Sequence, residues 1–359
     1  MNVCSGIKYL PRDINKIPYE ILKQGLCWLR PIIIQFGNIN RNNQIDLVWF
    51  HNNEYRAQRL SFKEVDNISN SIGGKLQKKN NNLFSFKKDF SNLSMTEMKI
   101  MGILNLTPDS FSDGGQFLSE EKAITHAYKM RENGADIIDI GGESTKPNAN
   151  YVAEEEEGKR ILEVIKKLSK DNFLISADTR KPNIMEKAID NGAKIINDIS
   201  GMSDPKTPKI ISKHGASIVI MHIQGDPKNM QNKPTYQFAP IEIYNFLEKK
   251  IDLALSDGVK LNCIAVDPGF GFGKNPIHNM QIMSWLPMFQ SLGVPVLLGG
   301  SRKSSIGMLS NNELPENRLG GSIALLCYAN LYGTQMIRVH DVLESKQAIN
   351  ISTHINKQI

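Results

Sequence analysis

The stretch Lys99-Ile-Met-Gly-Ile-Leu-Asn105, continuing through Leu106-Thr-Pro-Asp-Ser-Phe-Ser-Asp-Gly-Gly115, opens the part of the chain that decides the fold. Its first half is a short apolar run of the kind buried in a parallel sheet. Its second half is a polar segment with Gly, Ser and Pro, which reads as a long loop. The same unit then recurs. Strand candidates lie at 99–104, 136–140, 173–177, 194–197, 217–221, 263–267, 294–298 and 335–339. Amphipathic stretches between them start near Glu120, Ala153, Pro182, Pro205, Ile241, Ile277, Asn317 and Asp341. Eight βα units in about 250 residues are the count and length of a TIM barrel. A doubly wound open sheet also alternates, but eight regular units with no antiparallel ending favour closure. No GxGxxG follows the first strand, which weakens a dinucleotide-binding reading. The expected class is therefore α/β, a (β/α)8 TIM barrel, over residues 96–359.

Chemistry in such a barrel gathers where the strands end. The first strand ends at Asn105, the second at Asp139, the third at Asp178-Thr179, the fourth at Asn197-Asp198 and the fifth at His222. The sixth ends at Asp267, the seventh at Ser301-Arg-Lys-Ser304, and the eighth carries Arg338 and His340. Helix capping accounts for some of these, and Thr179, Asp198 and Ser304 are fair candidates for it. Capping does not account for eight coincident rim positions, nor for the cations. A carboxylate pairs with a planar array of adjacent N–H groups. Asp178, Asn197 and Asp267 thus suit something like the 2-amino-4-oxo edge of a pterin, with Lys303 opposite. Lys146, Arg302, Arg338 and His340 suit a diphosphate or a carboxylate. The long segments 105–115 and 141–150 read as loops that fold over a substrate, and Phe111 is too apolar for a merely solvated tip.

Upstream, the composition shifts near residue 95. Ile32 to Phe36 and Ile45 to Phe50 read as strands, and about Phe62 to Leu76 as a helix weakened by Gly73 and Gly74. Residues 1–95 are expected to form a small accessory region packed on the barrel, joined by a polar linker over 78–95. Lys75, Lys78 and Lys79 sit in an Asn-rich stretch and read as solvated linker. The chain has 359 residues and a formal net charge of +6. That mild excess suits anionic small substrates, and no clustered basic stripe marks a nucleic-acid binder. Four widely spaced cysteines without a CxxC pair argue against a disulfide framework or zinc site, and imply a reducing cytoplasm. No apolar run approaches the roughly 20 residues of a membrane span.

These motifs resemble a known family. Met101-Gly-Ile-Leu-Asn-Leu-Thr-Pro-Asp-Ser-Phe-Ser-Asp-Gly-Gly115 is similar to the first signature of the dihydropteroate synthases, and Gly134-Ala-Asp-Ile-Ile-Asp-Ile-Gly-Gly-Glu-Ser-Thr145 to the second. Asp178-Thr-Arg-Lys-Pro182, Ile195-Ile-Asn-Asp198, Met221-His-Ile-Gln-Gly225, Asp267-Pro-Gly-Phe-Gly-Phe-Gly-Lys274, Gly300-Ser-Arg-Lys-Ser304 and Arg338-Val-His-Asp341 continue the resemblance in order, over about 99–345. The resemblance implies condensation of 6-hydroxymethyl-7,8-dihydropterin diphosphate with p-aminobenzoate on a pterin-binding barrel. It implies that Asp178, Asn197, Asp267 and Lys303 hold the pterin, with Met221 packed on it. It implies that Asn105, Thr145, Lys146, Arg338 and His340 meet the diphosphate, with Asn105 supporting Mg2+. It implies that Phe111, Thr145, Pro147, Phe272, Lys303 and Ser304 frame p-aminobenzoate, where sulfonamides bind in the family. It also implies a homodimer.

The chain departs from the family pattern at Lys146, where Arg is usual, and at Asn148, where Gly is common just after the Pro. Two other functions share part of the pattern. A methyltetrahydrofolate–corrinoid methyltransferase uses similar pterin-holding Asp and Asn residues but does not need the Ser-Arg-Lys-Ser and Arg-Val-His motifs. A non-catalytic pterin-binding paralogue finds support only in Lys146 and the unexplained N-terminal region.

Overall fold

The computed structural model describes residues 7–11, 17–32, 44–107, 116–147 and 149–356. Residues 7–84 build a four-stranded sheet from β1 (Ile7–Tyr9), β2 (Cys27–Pro31), β3 (Gln44–His51) and β4 (Glu54–Ser61). The order is β1-β4-β3-β2, with β1 parallel to β4 and the other pairs antiparallel. Three helices cover one face: α1 (Tyr19–Gln24), α2 (Phe62–Ile72) and α3 (Gly74–Phe84).

Strand side chains alternate between faces, and here both faces are apolar. Cys27, Leu29, Leu47, Trp49 and Leu60 pack with Val65, Leu76 and Leu83 of the helices. Trp28, Val48, Tyr55 and Ala57 point the other way and join the apolar cluster of the main body. The Trp28 indole also donates to Asn245 Oδ1 at 2.9 Å, and Arg30 Nη2 to the Ser284 carbonyl at 2.9 Å.

Two expectations for this region need correction. The helix expected over 62–76 breaks at Gly73 and Gly74 (φ 69° and 59°) into two. The linker expected over 78–95 begins instead inside α3. Helical spacing brings Leu76, Lys79, Asn80 and Leu83 to one buried face. Lys75 and Lys78 are exposed as expected, but Lys79 is buried. It donates to the carbonyls of Gly25 (3.2 Å) and Cys27 (3.1 Å) and lies 3.4 Å from Glu248. The strand expected from Ile32 lies, beyond that residue, outside the described residues.

From residue 99 the chain follows the expected alternation. The strands are β5 (Lys99–Asn105), β6 (Ile137–Gly141), β7 (Ile175–Asp178), β8 (Ile195–Asp198), β9 (Ser217–Met221), β10 (Ile264–Asp267), β11 (Leu297–Leu298) and β12 (Met336–Val339). The helices are α4 (Gln116–Glu132), α5 (Glu154–Lys170), α6 (Pro182–Asp190), α7 (Thr207–His214), α8 (Ala239–Ser256), α9 (Pro276–Ser284), α10 (Ser304–Met308), α11 (Leu319–Leu331) and α12 (Val342–Asn356). All pairs in the sheet are parallel, in the order β10-β9-β8-β7-β6-β5-β12-β11. A parallel bridge between Val266 and Val296 closes the sheet into a barrel.

The barrel interior is layered. Met101, Ile137, Ile195, Val219, Ala265, Leu297 and Met336 form its lower layer, one from each strand except β7, and Phe90 and Met95 from the segment after α3 close it below.

Candidate active site

The site follows from that layer by strand periodicity. Two residues further along a strand return the side chain to the same interior, one step nearer the mouth. Ile137 is succeeded by Asp139, Ile195 by Asn197, Val219 by Met221, Ala265 by Asp267 and Met336 by Arg338. On β7 the same interior register carries Ser176 and then Asp178, whose Cα partner is Asn197. The lower barrel is thus apolar apart from Ser176, and the layer above it is polar on five strands, at Asp139, Asp178, Asn197, Asp267 and Arg338, with Met221 apolar among them.

Arg338 forms the hub of that layer. Its Nε donates to Asp139 Oδ2 at 2.6 Å and its Nη2 to Asp178 Oδ2 at 2.8 Å. Asn197 Nδ2 donates to the same Asp139 oxygen at 3.1 Å. Burial pushes the Asp178 carboxyl up, Arg338 opposes it, and Asp139 adds to the rise. Burial works against the Arg338 charge, but Asp139 and Asp178 more than offset it and its pKa is raised. Burial also lifts Asp267 to about 6, against the Gly269 amide that donates to its Oδ1 at 2.7 Å. Lys303 is pushed down to about 8 by burial and then by Arg338, with Asp267 and Asp178 opposing.

The loop after β10 shapes the next part of the mouth. Gly269, Gly271 and Gly273 all have positive φ (71°, 83° and 64°), which glycine adopts at little cost. A Cβ on Gly269 would sit 1.9 Å from the His222 carbonyl oxygen, so the loop lies directly on the end of β9. The turns send Phe270 into the main apolar core and Phe272 toward the mouth. There Phe272 clusters with Met221, Ile199 and Met230. The Lys303 ammonium lies 3.9 Å from the Phe272 ring centroid. Lys274, fully buried, donates to the carbonyls of Phe272 and His222 and holds the loop from behind.

The Ser301–Ser304 turn and the end of β12 brace one another. Ser301 Oγ and His340 Nδ1 are 3.0 Å apart. Arg302 has a left-handed φ of 55°, a strained value for a side-chain-bearing residue. A bidentate pair with Asp341 holds it there. Arg302 is therefore committed to Asp341. Burial, with Arg338 and Arg302 nearby, drops the His340 imidazole to about 4. Among these protein groups alone the lowered pKa leaves His340 largely uncharged, and the Arg302 guanidinium faces Asp341.

The structure brings Asp178, Asn197, Met221, Asp267, Phe272, Lys303 and Arg338 to one mouth. Asn105 ends β5 half-buried, in register with Gly141. Thr145 is half-buried, while Lys146, Pro147 and Ser304 are exposed. The Lys146 side chain makes no ion pair among the described residues. The base of that second loop is clamped instead by Glu143, which accepts from the Val152 amide (3.0 Å) and pairs with Arg180 (3.0 Å). Phe111 and Asn148 lie outside the described residues. Of the capping candidates, Asp198 caps its own turn, accepting from the amides of Ser200 and Met202. Asp139, placed on the rim above but given no role, is the residue the sequence reading undervalued. Its signal is a lone charge at an inward position of an otherwise apolar strand.

A closed barrel with an apolar floor and a mouth of acceptors and cations defines a (β/α)8 protein with a small-molecule site at the strand ends. The chain belongs to the pterin-binding enzymes: residues 101–340 match the model described as "Pterin binding enzyme". Dihydropteroate synthases are among its relatives. The Escherichia coli K12 enzyme of that name is 41% identical over 262 residues, covering 73% of this chain and 93% of the relative. The Yersinia pestis dihydropteroate synthase solved with a sulfonamide drug superposes with a TM-score of 0.70 at 40% identity, covering 74% of this chain and 96% of that one. The Xanthomonas albilineans enzyme solved with 4-aminobenzoic acid also has a TM-score of 0.70 at 40% identity, covering 73% and 94%.

Proposed function

We infer that this chain acts as a dihydropteroate synthase, condensing 6-hydroxymethyl-7,8-dihydropterin diphosphate with p-aminobenzoate to give 7,8-dihydropteroate and diphosphate. The observation that carries the reading is the polar layer above the dry barrel floor, where Asp178, Asn197 and Asp267 converge with Lys303 and Arg338. Carboxylate and carboxamide acceptors receive the N–H edge of the pterin, and Lys303 meets its oxygen and ring nitrogen from the other side. Met221 and Phe272, in one apolar cluster, pack on the bound rings.

Arg338, Asn105, Thr145, Lys146 and His340 receive the diphosphate. Arg338 keeps N–H donors beyond the two bonded to Asp139 and Asp178. His340, whose pKa is lowered by its protein surroundings, offers a ring N–H to the diphosphate. As the methylene C–O bond breaks, these donors stabilise the charge growing on the departing oxygen. The aniline nitrogen of p-aminobenzoate then forms the new C–N bond. Phe111, Thr145, Pro147, Phe272, Lys303 and Ser304 frame that second substrate, and the two loops exclude water during the step.

Among the described residues no cluster of three His, Cys, Asp or Glu side chains suits a metal. Asn105 nonetheless fits Mg2+ that arrives with the diphosphate, since this ion takes one or two protein oxygens alongside phosphate oxygens and waters. An ion held at Asn105 would supply positive charge to the leaving diphosphate. A homodimer is supported by an apolar groove of about 650 Å3 among Met280, Ile306, Leu309, Leu325 and Tyr328, with Leu309 exposed. Cys27, Cys263 and Cys327 are free thiols, in keeping with a cytoplasmic setting.

The test is condensation of the two substrates by purified protein with Mg2+, with and without a sulfonamide. Turnover inhibited competitively against p-aminobenzoate is expected. Pterin binding without turnover would remove the catalytic assignment and leave a pterin-binding protein.

A further inference from the structure

We propose that Asp139 is a positioning residue that sets which hydrogen-bonding atoms the barrel presents to the pterin. This rests on the reading of the mouth as the pterin site. Asp139 is 0% exposed, on β6 between Ile103 and Ser176 in register. Ile137 below it on the same strand and Ile103 beside it are apolar, and an aliphatic residue here would extend that packing. The fold alone does not require a carboxylate at this point.

What the carboxylate does is hold two residues of the mouth through one oxygen. Oδ2 accepts from Arg338 Nε (2.6 Å) and from Asn197 Nδ2 (3.1 Å), which reach it from β12 and β8. A free carboxamide can exchange its oxygen and nitrogen by rotation. With Nδ2 committed to Asp139, the Asn197 oxygen is the atom left for a ligand. Asn197 then joins Asp178 and Asp267 as an acceptor, matching a donor-rich pterin edge. Flipped, the same side chain would oppose donors with donors. Arg338 is fixed at two points, Nε on Asp139 and Nη2 on Asp178, so the plane of its guanidinium is set before any ligand arrives. Asp139 Oδ1 is buried with no partner. Buried unpaired acceptors are uncommon and call for a reason; here the reason is that Oδ2 is needed where it is.

The experiment compares Asp139→Ala and Asp139→Asn in the full chain. Affinity for 6-hydroxymethylpterin is measured by calorimetry, and KM for both substrates by steady-state turnover. Removing a buried acceptor that orders two groups should weaken pterin binding by about tenfold or more, with the KM of p-aminobenzoate changed by no more than about twofold. Asp139→Asn keeps an oxygen able to accept both bonds and should recover most of the affinity. The proposal is overturned if Asp139→Ala binds the pterin as the unaltered chain does, or if Asp139→Asn is as impaired as Asp139→Ala. It is also overturned if both KM values rise together with the loss of thermal stability, the mark of a merely structural role. Asp267→Ala runs alongside: if it too binds pterin normally, the pterin reading of the mouth falls, and this proposal with it.

Discussion

The Nζ of Lys274 lies 3.0 Å from Nδ1 of His222, and both side chains are buried. The same nitrogen donates to the Phe272 carbonyl at 2.8 Å and the His222 carbonyl at 3.3 Å. Lys274 therefore ties the loop that carries Phe272 to the strand end that carries Met221. Burial lowers its pKa to about 7, with Asp267 opposing and Lys303 adding. Burial, and then Lys274, lowers the His222 imidazole well below its ordinary value.

Lys274→Met should leave two buried carbonyls without this donor, at about 1–3 kcal/mol for each unsatisfied group. The pH dependence identifies the cause. A lysine whose folded pKa is depressed holds its proton less tightly than in the unfolded chain. Its contribution to stability therefore rises with pH from about 7 toward its ordinary 10.5. Urea denaturation at pH 7 and pH 9 should show the unaltered protein gaining stability relative to Lys274→Met. Parallel behaviour at both pH values would mean that Lys274 keeps its charge in the folded state.

Asp267 has the opposite linkage. Its pKa is raised to about 6, so the folded chain holds this proton more tightly than the unfolded one. Stability from this group is present below its ordinary 3.8 and is lost as pH rises through about 6. Pterin binding needs the carboxylate as a double acceptor, so affinity should fall about tenfold per pH unit below that point. Asp267→Asn should bind pterin at least about a hundredfold more weakly, keep only the acid limb that the likewise raised Asp178 contributes, and unfold at higher urea than the unaltered chain at pH 7.5. Calorimetric binding and urea midpoints over pH 5 to 8 check both halves. Loss of affinity together with loss of stability would assign Asp267 a structural role instead.

The glycines after β10 should differ in what they tolerate. Alanine at Gly269 meets the His222 carbonyl oxygen at 1.9 Å and also carries the left-handed strain, about 1–2 kcal/mol by itself. At Gly271 the first contact is Lys303 Cδ at 3.3 Å, the middle of a flexible side chain. Gly269→Ala should therefore be recovered poorly or unfold several degrees lower. Gly271→Ala should stay folded but raise KM by displacing Lys303. Thermal midpoints and steady-state kinetics on the pair test this ranking, and equal loss of stability at both positions would contradict it.

The barrel was legible because its signal is periodic. Every strand expected from 99 onward exists, and most boundaries differ by one or two residues. The rim acceptors were legible because two-residue alternation puts them above an apolar layer. What escaped was the partnership beneath them. Whether Arg338 faces a ligand, Asp139 or Asp178 depends on three strands meeting across the barrel, which no local pattern records. Arg302 escaped for a similar reason, since its partner Asp341 lies on the next βα unit. Lys79 escaped because Asn-rich composition masks helical spacing, and its partners at Gly25, Cys27 and Glu248 come from two other parts of the chain.

Lys146 is the clearest place to separate charge from geometry in the second loop. Its side chain is exposed and unpaired among the described residues, so replacing it should change stability by less than about 0.5 kcal/mol. The loop base is held independently by Glu143, through Val152 and Arg180. A guanidinium grips two oxygens at once where an ammonium acts as a point charge. If residue 146 meets the diphosphate in the closed state, Lys146→Arg should lower KM for the pterin diphosphate by about two- to fivefold, and Lys146→Ala should raise it by more, roughly tenfold. Both variants should keep the thermal midpoint and the affinity for unphosphorylated 6-hydroxymethylpterin, because neither touches Asp178, Asn197 or Asp267. Unchanged KM in both variants would remove residue 146 from the diphosphate site. The Glu143 clamp would then be the part of this loop that bears on turnover.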